Sequence, residues 1–323
     1  MKFPVFDLHC DTALAMLGDK MDQCKSLEDN DCHIDLTRAS SFPGYAQCFA
    51  CFTTSWESLP GGLSAQDVFR RELDAVERQV KASKRMTFAR SAEEIRGNQE
   101  KGLMSAILTI EGPAGFGFDP ARLPELYDWG FRITTLTWNE KNPLAGSHAT
   151  GGGLTELGRE YVKTAQELGM LIDVSHLSDE AFWDLMDMTR GPVIASHSNS
   201  RAVCNVSRNL TDEMFLALCR TGGVTGINLY AHFLGKGRVT LDTVADHILH
   251  FLELDPDGSH IALGGDLDGC DRLPEGFSDI RDYVTLAEHL LSRGLKEKTI
   301  HDIYWNNAIG VMEYAVRDHK IRR

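Results

Sequence analysis

The stretch Val5-Phe6-Asp7-Leu8-His9-Cys10-Asp11 begins as an apolar, β-prone run and ends on a histidine and an acid two positions apart. Side chains of a strand alternate with period two, so His9 and Asp11 fall on one face of such a run. At a strand's end that face offers an imidazole nitrogen and a carboxylate oxygen to a single cation. Zinc accepts mixed ligands of this kind.

The pattern returns along the chain. Further strand-like runs occupy 46–53, 104–111, 131–139, 171–176, 193–197, 224–230 and 261–266, which makes eight with the first. Their interiors are nearly continuous in apolar residues, as expected of parallel strands covered on both faces. Amphipathic segments separate most of them. Ser64 precedes 65–82, Thr155 precedes 156–168, Ser178 opens 181–188 and Thr211 opens 214–220, each a short polar residue placed as a helix N-cap. Helical patterns follow at 240–254, 279–291 and 296–316, whereas 19–44 fits a loop excursion. Strands alternating with helices, in one composition regime, predict an α/β fold: a single (β/α)8 barrel of the TIM type spanning 1–323, with loop insertions.

Composition narrows the function. A chain of 323 residues with 42% hydrophobic residues can bury a large core, and its formal charge of −14 disfavours nucleic acid and anionic membrane as partners. No apolar run is long enough to cross a bilayer, and Asp7 and His9 arrive too early for a secretory core segment. A cytoplasmic location is therefore expected. The eight cysteines are scattered, and only Cys48 and Cys51 are closely spaced, so buried free thiols are the expectation.

Active sites of such barrels lie at the C-terminal ends of the strands. Those ends carry His9 and Asp11, Glu111, Asn139, His176, His197, Asn228, and Asp266 with Asp268. Any one of these alone reads as a cap or a turn residue. Together they place metal-binding types on five of eight strand ends, and burying so many ionisable groups is costly unless a cation compensates them. His148 and His232 follow their strands closely enough to reach the mouth. His247, His250, His289 and His301 fall on helical patterns, His33 and His319 in a loop and the tail, and His260 at the opposite end of a strand.

With these residues assembled, the sequence resembles the renal (membrane) dipeptidase family of the amidohydrolase superfamily along almost its whole length. The likeness rests on His9-Cys10-Asp11, Ile110-Glu111-Gly112, Leu171 to His176, Pro192 to Ser198, Ser207-Arg208-Asn209 and Gly264-Gly265-Asp266-Leu267-Asp268-Gly269. The resemblance implies two zinc ions, the first held by His9 and Asp11, the second by His176 and His197, with Glu111 bridging both. It implies that Arg208 receives the free carboxylate of a dipeptide and that Asp266 transfers the proton. Two metals flanking one water lower its pKa and orient it toward a polarised carbonyl. Dipeptides are the implied substrates, including those with a D-residue at the C-terminal side, and a homodimer is the implied assembly. Tyr230, at the end of its strand-like run, is a further candidate for substrate contact.

One departure stands out. Where the better-known animal members end the fourth strand in Leu-Thr-His, this chain has Leu136-Thr137-Trp138-Asn139. Trp138, Asn139 or His148 then takes over the contact to the substrate carbonyl, or the metals make it alone. The competing readings are a related amidohydrolase acting on N-acyl amino acids or on a lactam or lactone, and a metal-binding barrel without catalysis. Ligand types alone leave copper, iron and manganese open beside zinc.

Overall fold

In the computed structural model, which describes residues 3–55 and 62–317, the opening stretch forms strand β1 (Val5–Cys10), buried along its whole length. It is followed by β2 (Tyr45–Phe52), β3 (Met86–Phe88), β4 (Met104–Glu111), β5 (Phe131–Thr135), β6 (Leu171–Asp173), β7 (Val193–Ile194), β8 (Thr225–Ile227) and β9 (Ile261–Leu263). The strands run parallel in the order β7-β6-β5-β4-β2-β1-β9-β8. A parallel bridge between Ala195 and Thr225 joins the two ends of that order and closes the barrel. The expected (β/α)8 barrel is thus the observed fold.

One cluster shows where the barrel interior lies. Phe6 and Leu8, Ala46 and Cys48, Ile107, Ile133, Leu171, Ile194, Val224 and Ala262 are mutually packed, so every wall strand, or the residue leading into it, contributes. Residues from all eight walls can meet only inside the barrel, where such layers form a packed core and not a pore. Trp305, Ala308, Ile309 and Met312 join the same cluster and plug the end opposite the polar strand ends.

The four anticipated caps are in place. Ser64, Thr155, Ser178 and Thr211 each accept a hydrogen bond from the backbone N–H three residues on, opening helices Ala65–Ala82, Glu156–Leu168, Asp179–Met188 and Asp212–Arg220. Two expectations need correcting. β3 was not anticipated; it is three residues long and pairs with the lower half of β4, below the point where β5 takes over that edge. The segment 296–316 is not one helix but Glu297–His301, a π-helical turn at Asp302–Asn306, and Asn307–Arg317. The 19–44 excursion holds the single helical turn Leu36–Ala39, capped by Asp35. His319 lies outside the described residues. Among those residues no helix is long and apolar enough to cross a membrane. All eight cysteines are free thiols, and six of them are buried.

Candidate metal centre

The pairing of β1 with β2 slips by one residue between Asp7 and Cys10, so three steps on β1 match two on β2. Such a bulge bends a strand end and re-aims its side chains, here beside His9. Glu111 is the last residue of β4, and Gly112 follows with φ of 73°. A Cβ at Gly112 would stand 2.1 Å from the Thr53 carbonyl oxygen, so glycine alone lets the chain leave β4 this close to the end of β2. His176 and Asp266 hold φ of 70° and 56°. Non-glycine residues rarely adopt that region and pay strain for it, and such residues concentrate at functional sites.

These ends converge. His9 Nε2 lies 3.3 Å from Glu111 Oε2, 3.7 Å from Asp11 Oδ2 and 3.8 Å from Asp266 Oδ1. On the other side of the same carboxylate, Glu111 Oε1 is 3.1 Å from His176 Nε2 and 3.8 Å from His197 Nε2. The His9 and His197 rings stack at 3.9 Å. Two overlapping sets, His9 with Glu111 and His197, and His9 with Asp11 and Asp266, bring their ligand atoms within 4.8 Å of one another. His9 Nε2 is buried and makes no hydrogen bond. An orphaned imidazole nitrogen among carboxylate oxygens fits a divalent cation.

The hydrogen bonds behind the histidines fix which nitrogen faces the cluster. His176 Nδ1 lies 3.1 Å from Asn139 Oδ1, which only accepts, so Nδ1 carries the hydrogen and Nε2 presents its lone pair. His197 Nδ1 donates to Ser196 Oγ at 2.7 Å, and that hydroxyl donates in turn to Asp173 Oδ2. Backing of this kind is what metal-ligating histidines need to hold ring and tautomer. Burial, reinforced by the Arg208 and His9 charges, pushes the His176 and His197 imidazoles well below their ordinary values, so both stay neutral. For His9 burial acts in the same sense, but the charges of Glu111 and Asp11 outweigh it and hold the ring well above its usual value. Burial raises Asp266 to about 8, with His9 opposing and Asp11 and Glu111 reinforcing the shift.

Asp7 ties two strand ends together. Its Oδ1 accepts from the backbone N–H of His9 at 3.0 Å and of Gly265 at 3.1 Å, and Oδ2 accepts from the Tyr283 hydroxyl. Asp266 Oδ2 accepts from Asn228 Nδ2 at 2.9 Å, which leaves Oδ1 toward His9. Gly269 completes the wall, since a Cβ there would stand 2.1 Å from Asp11 Oδ2 and 2.7 Å from Asp266 Oδ1.

Arg208 is buried beside the cluster. It makes only long contacts, Nη1 to Ser198 Oγ at 3.3 Å and Nη2 to the His197 carbonyl at 3.4 Å, and its Nε has no partner. Burial lowers its pKa, against the attraction of Asp266 and Glu111. Trp138 is half-buried, edge-on to Phe52 at 4.9 Å and 6.3 Å from the His176 ring. Tyr230 is half-buried and packs on His232 and Phe233. His148 lies behind the cluster, its Nε2 2.8 Å from Asn139 Oδ1 and its Nδ1 2.9 Å from Ser207 Oγ. Asp268, although a strand-end acid, turns away to accept from Thr12 Oγ1 and the His33 backbone N–H, which makes it a clamp on the loop.

Sequence reasoning missed Asp7, Asp173, Ser196 and Ser207. A signal existed for the two acids, since each is an isolated charge inside an apolar strand run. The serines lie inside two of the motifs that carry the family resemblance, Pro192 to Ser198 and Ser207-Arg208-Asn209, but nothing in the sequence pointed to a role for either.

The profile of the membrane dipeptidase family, peptidase family M19, matches residues 1–320. The chain belongs to that family. It is 34% identical over 214 residues to an uncharacterised dipeptidase of Schizosaccharomyces pombe, an alignment covering 64% of this chain and 52% of the relative. To Dipeptidase 3 of Rattus norvegicus it is 29% identical over 322 residues, 96% of this chain and 64% of that protein. The chain thus spans about half to two thirds of the length of these relatives. Among solved structures it is similar to a Rhodobacter sphaeroides metallo peptidase liganded with a phosphinate mimic of L-Ala-D-Ala, at a TM-score of 0.88 and 25% identity, covering 98% of this chain and 100% of that one. Family model and neighbours bear out the expected membership of the membrane dipeptidase family.

Proposed function

We propose that the chain is a dipeptidase that works with two divalent cations, zinc by its nitrogen and oxygen donors, and cleaves the peptide bond of short substrates with a free C-terminal carboxylate. The observation that carries this is the two-sided carboxylate of Glu111: one oxygen faces His9, the other His176 and His197, and the Nε2 lone pairs of the last two point inward. His9 and Asp11 would hold one cation, His176 and His197 the other, and Glu111 both. Bound there, the pair would supply Lewis-acid polarisation of the carbonyl and activation of a water.

The remaining work falls to this chain's own groups. Asp266 Oδ1 takes a proton from the attacking water as the carbon–oxygen bond forms, and passes it to the amine nitrogen as the carbon–nitrogen bond breaks. Asn228 holds the other oxygen of that carboxylate, so the proton has one place to reside. Arg208, with a buried and unpaired Nε, presents its planar donor fork to the substrate's terminal carboxylate. Asn139 supports the carbonyl in place of the family histidine, because its Oδ1 is occupied by two imidazoles while its Nδ2 has no partner among the described residues. His148 is not the substitute, since both of its ring nitrogens are engaged. Trp138 and Tyr230 flank this space and shape which side chains enter.

Metal analysis of purified protein, combined with a screen of L-Xaa-L-Xaa and L-Xaa-D-Xaa dipeptides beside N-acyl amino acids, tests the reading. Two zinc equivalents with dipeptide turnover support it. Turnover confined to N-acyl amino acids replaces it with the rival amidohydrolase, and no turnover with metal bound replaces it with a binding barrel. Gel filtration of the same preparation tests the homodimer that the family resemblance implies.

A further inference from the structure

A continuous set of hydrogen bonds runs from a metal-facing imidazole to the loop that carries Arg208. His176 Nδ1 donates to Asn139 Oδ1 at 3.1 Å, and His148 Nε2 donates to the same oxygen at 2.8 Å. An amide oxygen cannot donate, so both imidazoles must carry hydrogen on those nitrogens. In the neutral ring this leaves His148 Nδ1 as an acceptor, and Ser207 Oγ lies 2.9 Å from it. Ser207 directly precedes Arg208.

The His148 segment is itself held at both ends of this set. Its backbone N–H donates to the His176 carbonyl at 2.8 Å, and Ser147 Oγ donates to the Asn139 carbonyl at 2.8 Å. Without His148, Asn139 would keep one donor on its oxygen, and its amide could turn. The Arg208 loop would lose its side-chain connection to the Asn139 loop.

We infer that His148 is a positioning residue: it fixes the Asn139 amide with oxygen toward His176 and nitrogen toward the substrate space, and through Ser207 it sets the distance between that amide and Arg208. This rests on the dipeptidase reading above. If Asn139 meets the scissile carbonyl and Arg208 the terminal carboxylate, the span between them is the span of one residue of substrate. His148 is then the strut that makes the site select for dipeptide length. A misplacement of about 1 Å in such a span is enough to cost on the order of a hundredfold in rate.

The test uses the metal-loaded full chain and three variants, H148L, H148Q and S207A. Glutamine can offer a donor N–H to Asn139 and an acceptor oxygen to Ser207, so it replaces both contacts; leucine replaces neither. Alanyl-alanine, its C-terminal amide and alanyl-alanyl-alanine serve as substrates. Expected for H148L is a rise in KM of about tenfold or more for the free-acid dipeptide. KM for the amide barely moves, the preference for dipeptide over tripeptide narrows, and the metal content is unchanged. H148Q recovers most of the loss, and S207A reproduces the KM effect with kcat retained. Equal KM shifts for acid and amide, or a glutamine variant no better than leucine, would overturn the inference.

A spectroscopic readout keeps it independent of turnover. Long-range nitrogen–proton spectra of histidine-labelled, zinc-loaded protein should show the His148 ring, assigned by its loss in H148Q, with hydrogen on Nε2 and a bare Nδ1. Hydrogen on Nδ1 instead refutes the strut. A wild type that hydrolyses no dipeptide but shows the Nε2–H ring sinks the dipeptidase reading and leaves the strut standing.

Discussion

The Nε2 atoms of His176 and His197 face each other at 3.0 Å, and in both rings Nδ1 is already committed as a donor, to Asn139 and to Ser196. Two lone pairs meeting head-on in a buried site repel each other unless a cation lies beside them. Chelation should therefore lower the melting temperature, and restored zinc should raise it again. At free metal one hundred times the dissociation constant the gain is about 2.7 kcal/mol. Differential scanning calorimetry with and without a chelator checks this, and an unchanged melting temperature counts against any cation at this place.

A second consequence attaches to Gly269, which touches two acids at once. The methyl of Gly269→Ala would drive into Asp11 Oδ2 and Asp266 Oδ1. Asp11 is buried and Asp266, half-buried, is held by Asn228, so neither swings freely into solvent. The variant is expected to lose about 10–100-fold in metal affinity or activity, with its far-ultraviolet circular dichroism unchanged. Zinc titration by isothermal calorimetry is the measurement, and wild-type affinity is the result that contradicts it.

Much of this was legible in the chain before folding. Eight apolar runs are visible because a parallel strand buried on both faces has no polar side to interrupt it, and the caps at Ser64, Thr155, Ser178 and Thr211 are local chemistry. The convergence of His9, Glu111, His176 and His197 could be read because residue types at strand ends reveal a shared rim once the barrel is recognised. Three features could not be read. β3 is too short to form a pattern, and the bulge between Asp7 and Cys10 exists only in relation to β2. The Asp173–Ser196–His197 relay joins neighbouring strands, so its members have no common sequence signal. Asp266 and Asp268 show how alike two acids of different placement read: two positions apart and identical in type, one faces His9 while the other clamps Thr12 and His33.

Asp266 separates catalysis from binding. Replacing it by asparagine keeps the size and leaves an oxygen for Asn228 Nδ2, but removes the group that takes and returns a proton. If the proton route runs through Asp266 Oδ1, kcat for dipeptides falls by about 10²–10⁴-fold, while metal content and affinity for a phosphinate dipeptide mimic hold. Retained turnover would assign the proton transfer elsewhere. Loss of a metal equivalent would instead make Asp266 a ligand beside His9 and Asp11, a role its distance from His9 also permits.

Glu72 gives a prediction about stability alone. It sits fully buried on the helix Ala65–Ala82, and among the described residues no side chain pairs with its carboxylate, which has only the Phe52 backbone near it. Burial, followed by the charge of Asp11, pushes its carboxyl well above the ordinary range. With the folded pKa above the unfolded value of about 4.3, the group costs nothing at lower pH, where both states are protonated. As pH rises through that value the unfolded chain ionises first, and stability falls by about 1.4 kcal/mol per pH unit until the folded pKa is reached. Glu72→Gln cannot ionise and escapes this penalty. Urea unfolding of the chelated protein should show variant and wild type converging near pH 4, with the variant increasingly the more stable toward pH 8. A difference that stays constant across that range would mean that Glu72 is stabilised as a carboxylate in the fold.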